Sequence, residues 1–153
     1  MDYLVFTLNN VKYAIDVNIV ESVFDYKGSP LRSCSFPSTV GEIELNGQMV
    51  PIIDLNRKLG LPQTDKTKAR RIIVFTFETE MGNTYTLGTI VDWVHEVATI
   101  EDYQFRESLQ NERCNLEEQN IKGITNIEGS LVNIIDADKL FTPEEIEALS
   151  LAS

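Results

Sequence analysis

Gly41 to Asp54 reads GEIELNGQMVPIID, and Gly123 to Asp136 reads GITNIEGSLVNIID. The two stretches lie 82 positions apart and share both glycines, the valine, the Ile-Ile pair and the aspartate. In each, a short strand runs into a turn glycine and returns as an apolar run. Asn46-Gly47 is a strong hairpin signal, because both residues of a two-residue turn must reach positive φ. Met49-Val50-Pro51-Ile52-Ile53 has the unbroken apolar character of a strand buried on both faces. Pro51 has no N–H to give, which predicts an edge or a bulge at that point. Glycine, turn, apolar run and aspartate recur together in register, the pattern of an internal duplication.

Reading outward, the repeat extends. Leu4, Phe6 and Leu8 share one face of a strand, Asn9-Asn10 makes the turn, and Tyr13, Ile15 and Val17 alternate on the return. Val5-Phe6-Thr7 recurs as Val74-Phe75-Thr76, 69 positions on. Tyr13-Ala-Ile-Asp-Val recurs loosely as Tyr85-Thr-Leu-Gly-Thr. Arg71 to Phe77 predicts a strand, Met81-Gly82-Asn83 a turn, and Tyr85 to Val94 its return. Ile19 to Phe24 (IVESVF) reads as extended, with apolar residues of both parities, so they cannot all face one core. They are either buried on both sides or part of a docking surface, and Trp93 poses the same question in the second half. A half of about 70 residues is too small for a comfortable core of its own. The pattern therefore predicts two closed or nearly closed β-units packed on each other, which limits exposed edges. Helix is sparse: a turn or two after Asp54, through Lys58-Leu59, and a capped helix over 142–151 opened by Thr142-Pro143-Glu144-Glu145. Asp102 to Gln119 is either a long loop or a short helix.

The 153 residues fit one domain or two subdomains sharing a core. Lys and Arg number 13 against 24 Asp and Glu, a net charge of −11, which argues against nucleic acid or an anionic membrane as partner. No apolar run is long enough to span a bilayer, and MDYLVFTLNN lacks the features of a signal peptide, so a cytoplasmic protein is expected. Cys34 and Cys114 stand alone, without the spacing of a disulfide framework or a zinc site. His95 is the single histidine, so metal ligation has no set of ligands to draw on. Phosphate-cradling glycine motifs and nucleophile elbows are missing from the sequence. Asp54 and Asp136 occupy equivalent places after buried runs, where helix capping is the expected role rather than catalysis. No catalytic, metal or cofactor residue is predicted, and the reading is of a non-enzymatic binding module.

The ordered blocks Tyr3-Leu-Val-Phe-Thr-Leu, Tyr13-Ala-Ile-Asp-Val, Gly41-x-x-x-Leu45-x-Gly47-x-x-Val50-Pro51-Ile52-Ile53-Asp54-Leu55 and Gly88-x-x-Val91-Asp92-x-Val94-x-Glu96-Val97 resemble the CheW family of chemotaxis coupling proteins. Gly123, Ile134-Ile135-Asp136 and Leu140 continue the likeness along nearly the whole chain. The resemblance implies an all-β fold: a single domain over 1–153, made of two intertwined five-stranded SH3-like β-barrel subdomains with short helices and a C-terminal helix. It implies an adaptor that bridges the cytoplasmic tip of a chemoreceptor to the regulatory domain of a CheA-type histidine kinase, with weak self-association in arrays and no cofactor. It places partner contacts on Val20, Ser22, Val23 and Phe24, on Gly41, Asn46 and Gly47, and on Ile90 and Val91. Asn46 stands where the family usually carries arginine, and Phe24-Asp25 where arginine and glycine are common. Those differences keep a second expectation open, a CheW-like scaffold serving another assembly.

Overall fold

The computed structural model describes residues 1–26, 39–53, 55–58, 70–78, 82, 84–104, 106–107 and 121–136. Eleven strands and one helical turn make up these residues: β1 (Asp2–Leu8), β2 (Val11–Asp16), β3 (Val20–Tyr26), β4 (Thr39–Leu45), β5 (Gln48–Ile53), α1 (Leu55–Lys58), β6 (Arg70–Glu78), β7 (Thr84–Val91), β8 (Trp93–Thr99), β9 (Arg106–Glu107), β10 (Ile121–Ile127) and β11 (Ser130–Ile135). The predicted hairpin turns form as their residues dictate. Asn9 and Asn10 (φ 55 and 66), Asn46 and Gly47 (51 and 80), and Glu128 and Gly129 (51 and 85) all sit at positive φ, as a two-residue turn matched to strand twist requires. Short 3-10 turns follow β2 and β8, at Val17–Ile19 and Asp102–Gln104. The first is opened by the Asp16 carboxylate, which accepts from the Asn18 N–H at 2.9 Å.

Two sheets result, in the orders β8-β1-β2-β11-β10-β9 and β3-β6-β7-β5-β4. Apart from the two-residue β9, each has five strands, and each forms a barrel-like unit. The second, the central barrel, is continuous in sequence; the first, the terminal barrel, is built from both ends of the described chain. Every hairpin pairs with a hairpin of the other half. The β1–β2 hairpin meets β11 through a parallel pairing of β2 (Ile134 opposite Ala14), and the β6–β7 hairpin meets β5 through a parallel pairing of β7 (Ile52 opposite Gly88). In the same way, β3 crosses to pair with β6, and β8 crosses back to pair with β1.

Register makes the duplication exact enough to read residue by residue. Phe6 faces Tyr13 as Phe75 faces Leu87, and Val5 faces Ala14 as Val74 faces Gly88. The loose sequence match of Tyr13 with Tyr85 is therefore two residues out of register. The second hairpin carries a longer connection, and Leu87 is the structural counterpart of Tyr13. Bulges repeat as well: the register shifts between Val20 and Ser22 on β3, and at the matching place where β8 crosses Leu4 and Phe6. Another pair falls between Thr39 and Gly41 and between Ile121 and Gly123. Gly41 adopts φ 145 at its bulge, a conformation that favours glycine. Pro51 lies in an interior strand rather than at an edge, because the parallel ladder with β7 begins only at Ile52.

Strand alternation sorts the apolar residues into three layers. Leu4, Phe6, Leu8, Ile15, Ile53, Ile73, Phe75, Leu87 and Val91 form the middle layer between the barrels. Tyr3, Val5, Ala14, Ile100, Val132 and Ile134 fill the inside of the terminal barrel. Tyr26, Val50, Ile52, Ile72 and Val74 fill the central one. Asp54, Cys34, Cys114, all of 108–119 and the helix expected over 142–151 lie outside the described residues.

Candidate partner-docking faces

All nine residues expected at partner contacts lie on the central barrel. β3 is the outermost strand of its sheet, and its pleat divides its side chains. Val20, Ser22 and Phe24 are half-buried, while Glu21, Val23 and Asp25 are exposed. Val23 leaves 40% of its surface in solvent. Val20 packs against the middle layer and Phe24 against the interior of the central barrel. The surplus of apolar residues in IVESVF thus has a double explanation: one set is core, and Val23 is surface. Asn46 and Gly47 stand exposed at the β4–β5 tip. Ile90 is half-buried beside Ile72, which lies opposite Phe24 across β6. Gly41 is buried within β4, and Val91, at 0% exposure, belongs to the middle layer and presents nothing to solvent.

Sequence reasoning did not find the contacts that tie the two barrel edges together. Arg71, at the start of β6, pairs its Nε with the Asp25 carboxylate at 3.0 Å, and its guanidinium lies 4.8 Å from the ring centroid of Trp93 on β8. An exposed ion pair of this kind contributes little stability; the guanidinium it holds lies over the face of Trp93, which is 51% exposed. At the β8 bulge, Thr7 Oγ1 and His95 Nε2 are 2.7 Å apart. At the matching β3 bulge, Thr76 Oγ1 donates to the Glu21 carboxylate at 2.8 Å. Burial first, and then the Lys12 ammonium, push the His95 pKa below its ordinary value of 6.5. These pairings were invisible from sequence because they depend on one bulge residue per edge strand.

Among the described residues, no group of three or more His, Cys, Asp or Glu side chains is placed to hold a metal ion. No described helix is long and apolar enough to cross a membrane. His95 Nε2 meets the Thr7 hydroxyl at 2.7 Å.

Hairpins paired across the two halves, matching bulges and exposed edge strands define a duplicated β-protein. The chain belongs to the CheW family: the CheW-like domain model matches residues 2–145. It is similar to the chemotaxis protein CheW of Bacillus subtilis (strain 168), with 28% identity over 145 residues, covering 95% of this chain and 89% of that one. The chemotaxis protein CheW of Klebsiella aerogenes is 27% identical over 146 residues, covering 95% of this chain and 84% of its own. Among solved structures, the crystal structure of the scaffolding protein TtCheW from Thermoanaerobacter tengcongensis superposes with a TM-score of 0.73 at 27% identity, covering 94% of this chain and 89% of that one.

Proposed function

We propose that the chain is a non-enzymatic cytoplasmic adaptor of chemotaxis, coupling the cytoplasmic tip of a chemoreceptor to the regulatory domain of a CheA-type histidine kinase. The β3 edge and the β4–β5 tip serve as its docking face, and Ile90 borders that face. Its work is geometric: it holds two partners at a set distance and orientation, and a change in one contact alters the free energy of the other, reciprocally. The observation that carries the reading is the pleat of β3. An edge strand that turns Val20 and Phe24 inward still presents the large apolar side chain of Val23 to solvent, beside an exposed hairpin tip. Membership of the CheW family and the likeness to chemotaxis scaffolds support it. The reading as a scaffold for another assembly rests on Phe24 and Asn46: Phe24 packs against the barrel interior, while Asn46 stands exposed at the β4–β5 tip.

Purified full-length protein, a CheA-type regulatory domain and a receptor-tip fragment test the proposal in pull-down and titration. Val23→Glu and Asn46→Trp are expected to weaken binding of at least one partner about tenfold, on the scale of a central contact residue, with unchanged thermal unfolding. Undiminished binding of both partners to both variants would remove this face from consideration. Val20→Glu is a poor probe, because Val20 is packed on the middle layer and a charge there disturbs the fold itself.

A further inference from the structure

The terminal barrel opens between β8 and the β10–β11 hairpin into a mouth of ≈ 770 Å³. Its floor is Val5, Ala98, Ile127 and Val132, side chains that also belong to, or pack on, the inner core of that barrel. Register gives each a counterpart in the central barrel: Val74, Phe24, Leu45 and Val50. Only one of the four pairs differs greatly in bulk. Where the central barrel inserts the Phe24 ring, the terminal barrel has the methyl group of Ala98, and the space stays open. Tyr3, which lies opposite Ala98, is not part of the wall. Its hydroxyl lies 3.5 Å from Met1 Sδ, and the Lys122 ammonium sits over its ring at 5.6 Å. The internal copy therefore shows what shape the mouth accepts, an aromatic side chain arriving from an edge strand.

The rim gives the rest of the chemistry. Among the described residues no strand pairs with the outer edge of β8, so its backbone groups can take up an added strand. Glu96 and Glu128 are exposed at the rim, with Trp93 beside them. Among the described residues lining the mouth, one ammonium faces them, that of Lys12, and it donates to Ser130 Oγ at 3.3 Å. The chain as a whole carries −11. We infer that this mouth is a second docking site, distinct from the β3 face, and that its occupant is an extended segment of a partner protein carrying an aromatic residue between basic ones. The segment lies along β8, its ring enters over Ala98, and its cations approach Glu96 and Glu128. Occupancy does not require the β3 face, so the adaptor can hold a further partner while its other contacts are made.

The full-length chain is titrated with the peptide acetyl-Lys-Thr-Phe-Thr-Lys-amide, whose alternation puts the ring and both lysines on one side of a strand. Trp93, the single tryptophan, reports the titration by fluorescence, and amide shifts locate it by NMR. Saturable binding is expected, with shifts confined to β8 and the β10–β11 hairpin. Replacing the peptide phenylalanine by alanine is expected to weaken it about tenfold, as loss of an anchor side chain does. Ala98→Phe, which rebuilds the plugged arrangement of the central barrel, is expected to abolish it. Glu96→Lys with Glu128→Lys, both on exposed side chains, is expected to weaken it severalfold at low salt and less at high salt. Absence of saturable binding at millimolar peptide, shifts centred on β3, or full binding by Ala98→Phe overturns the proposal. If Ala98→Phe does not fold, undiminished affinity in the charge-reversed variant overturns it alone.

Discussion

The two barrels share one plan and fill it differently. In the central barrel, Phe24 on the edge strand lies across from Ile72; in the terminal barrel, Ala98 on the edge strand lies across from Tyr3. The large side chain has moved from the edge strand to the neighbouring strand. Ala14 and Gly88 form a similar contrast where the parallel strands meet, opposite Ile134 and Ile52. Copies of a module can thus keep every register and bulge while exchanging volume between facing positions, since what a core requires is total volume and pattern. The exchange has an effect at the surface: a plugged edge on one barrel, and an open one on the other.

The strongest way to break the comparison is at the middle layer, where both halves contribute the same residue type. Phe6 and Phe75 are each 0% exposed and occupy equivalent positions on β1 and β6. Truncating either, as Phe6→Ala or Phe75→Ala, is expected to cost about 3–5 kcal/mol, measured by denaturant unfolding. Because each barrel borrows strands from the other half, either variant should unfold in a single transition seen alike by Trp93 fluorescence and circular dichroism. Two separate transitions, one per barrel, would show that the halves are merely adjacent.

A smaller effect sharpens the exchange of volume. Phe24→Ala removes a half-buried ring from the central barrel and is expected to cost about 2 kcal/mol. Ile72→Tyr alone overpacks the same interior, by about 1–3 kcal/mol. The double variant reproduces the Tyr3–Ala98 arrangement of the other barrel. Its cost should fall short of the sum of the two by about 1 kcal/mol, because the sites are in contact. Strict additivity would mean that the two barrels fill their interiors independently of these pairs.

Next in size is Gly88. A Cβ added there would lie 2.9 Å from Ile52 Cδ1 and 3.3 Å from Ile72 Cγ2, although the matching Ala14 is accommodated in the terminal barrel with 0% exposure. Gly88→Ala is expected to destabilise by about 1 kcal/mol, the crowding outweighing the entropy that alanine removes from the unfolded chain. Shortening one neighbour, as Ile52→Val, should recover part of that loss in the double variant. A thermal melt unchanged or raised in Gly88→Ala alone would show that the central barrel has slack at its parallel seam.

How much of this was legible beforehand depended on whether a feature was local. The three two-residue turns could be read from Asn9-Asn10, Asn46-Gly47 and Glu128-Gly129, because each contains asparagine or glycine, the residues that reach positive φ at least cost. The repeat of Gly41–Asp54 at Gly123–Asp136 was legible because turn and buried run recur in register. The pairing of each hairpin with the opposite half was not, since alternation names the buried face of a strand and not its neighbour; only the family resemblance implied intertwining. The equivalence of Tyr13 with Leu87 was hidden by a longer β6–β7 connection. Among the expected contact residues, alternation alone did not show that Val91 lies in the middle layer, where Arg71 is its partner in register. Parity already set Val20 and Phe24 against Val23; it could not show that the bulge at Glu21 sends Val20 to the middle layer and Phe24 to the barrel interior.

That bulge also yields the smallest expected effect, and it falls on opposite chemistries. Glu21 accepts from Thr76 on the central barrel, while His95 meets Thr7 on the terminal one. Burial and then Lys12 lower the His95 pKa in the folded chain from 6.5, so below about pH 6.5 the unfolded chain takes up the proton more readily. Stability owed to neutral His95 is therefore complete above that pH and declines as pH falls toward the folded value. The loss should be slight, since the ring is only half-buried. Comparing unfolding midpoints across this range, the native chain should lose more than His95→Gln, whose amide can still bond Thr7 without titrating. Lys12→Gln should move the His95 titration, followed by ring-proton NMR, back toward 6.5. An unmoved titration would assign the shift to burial alone.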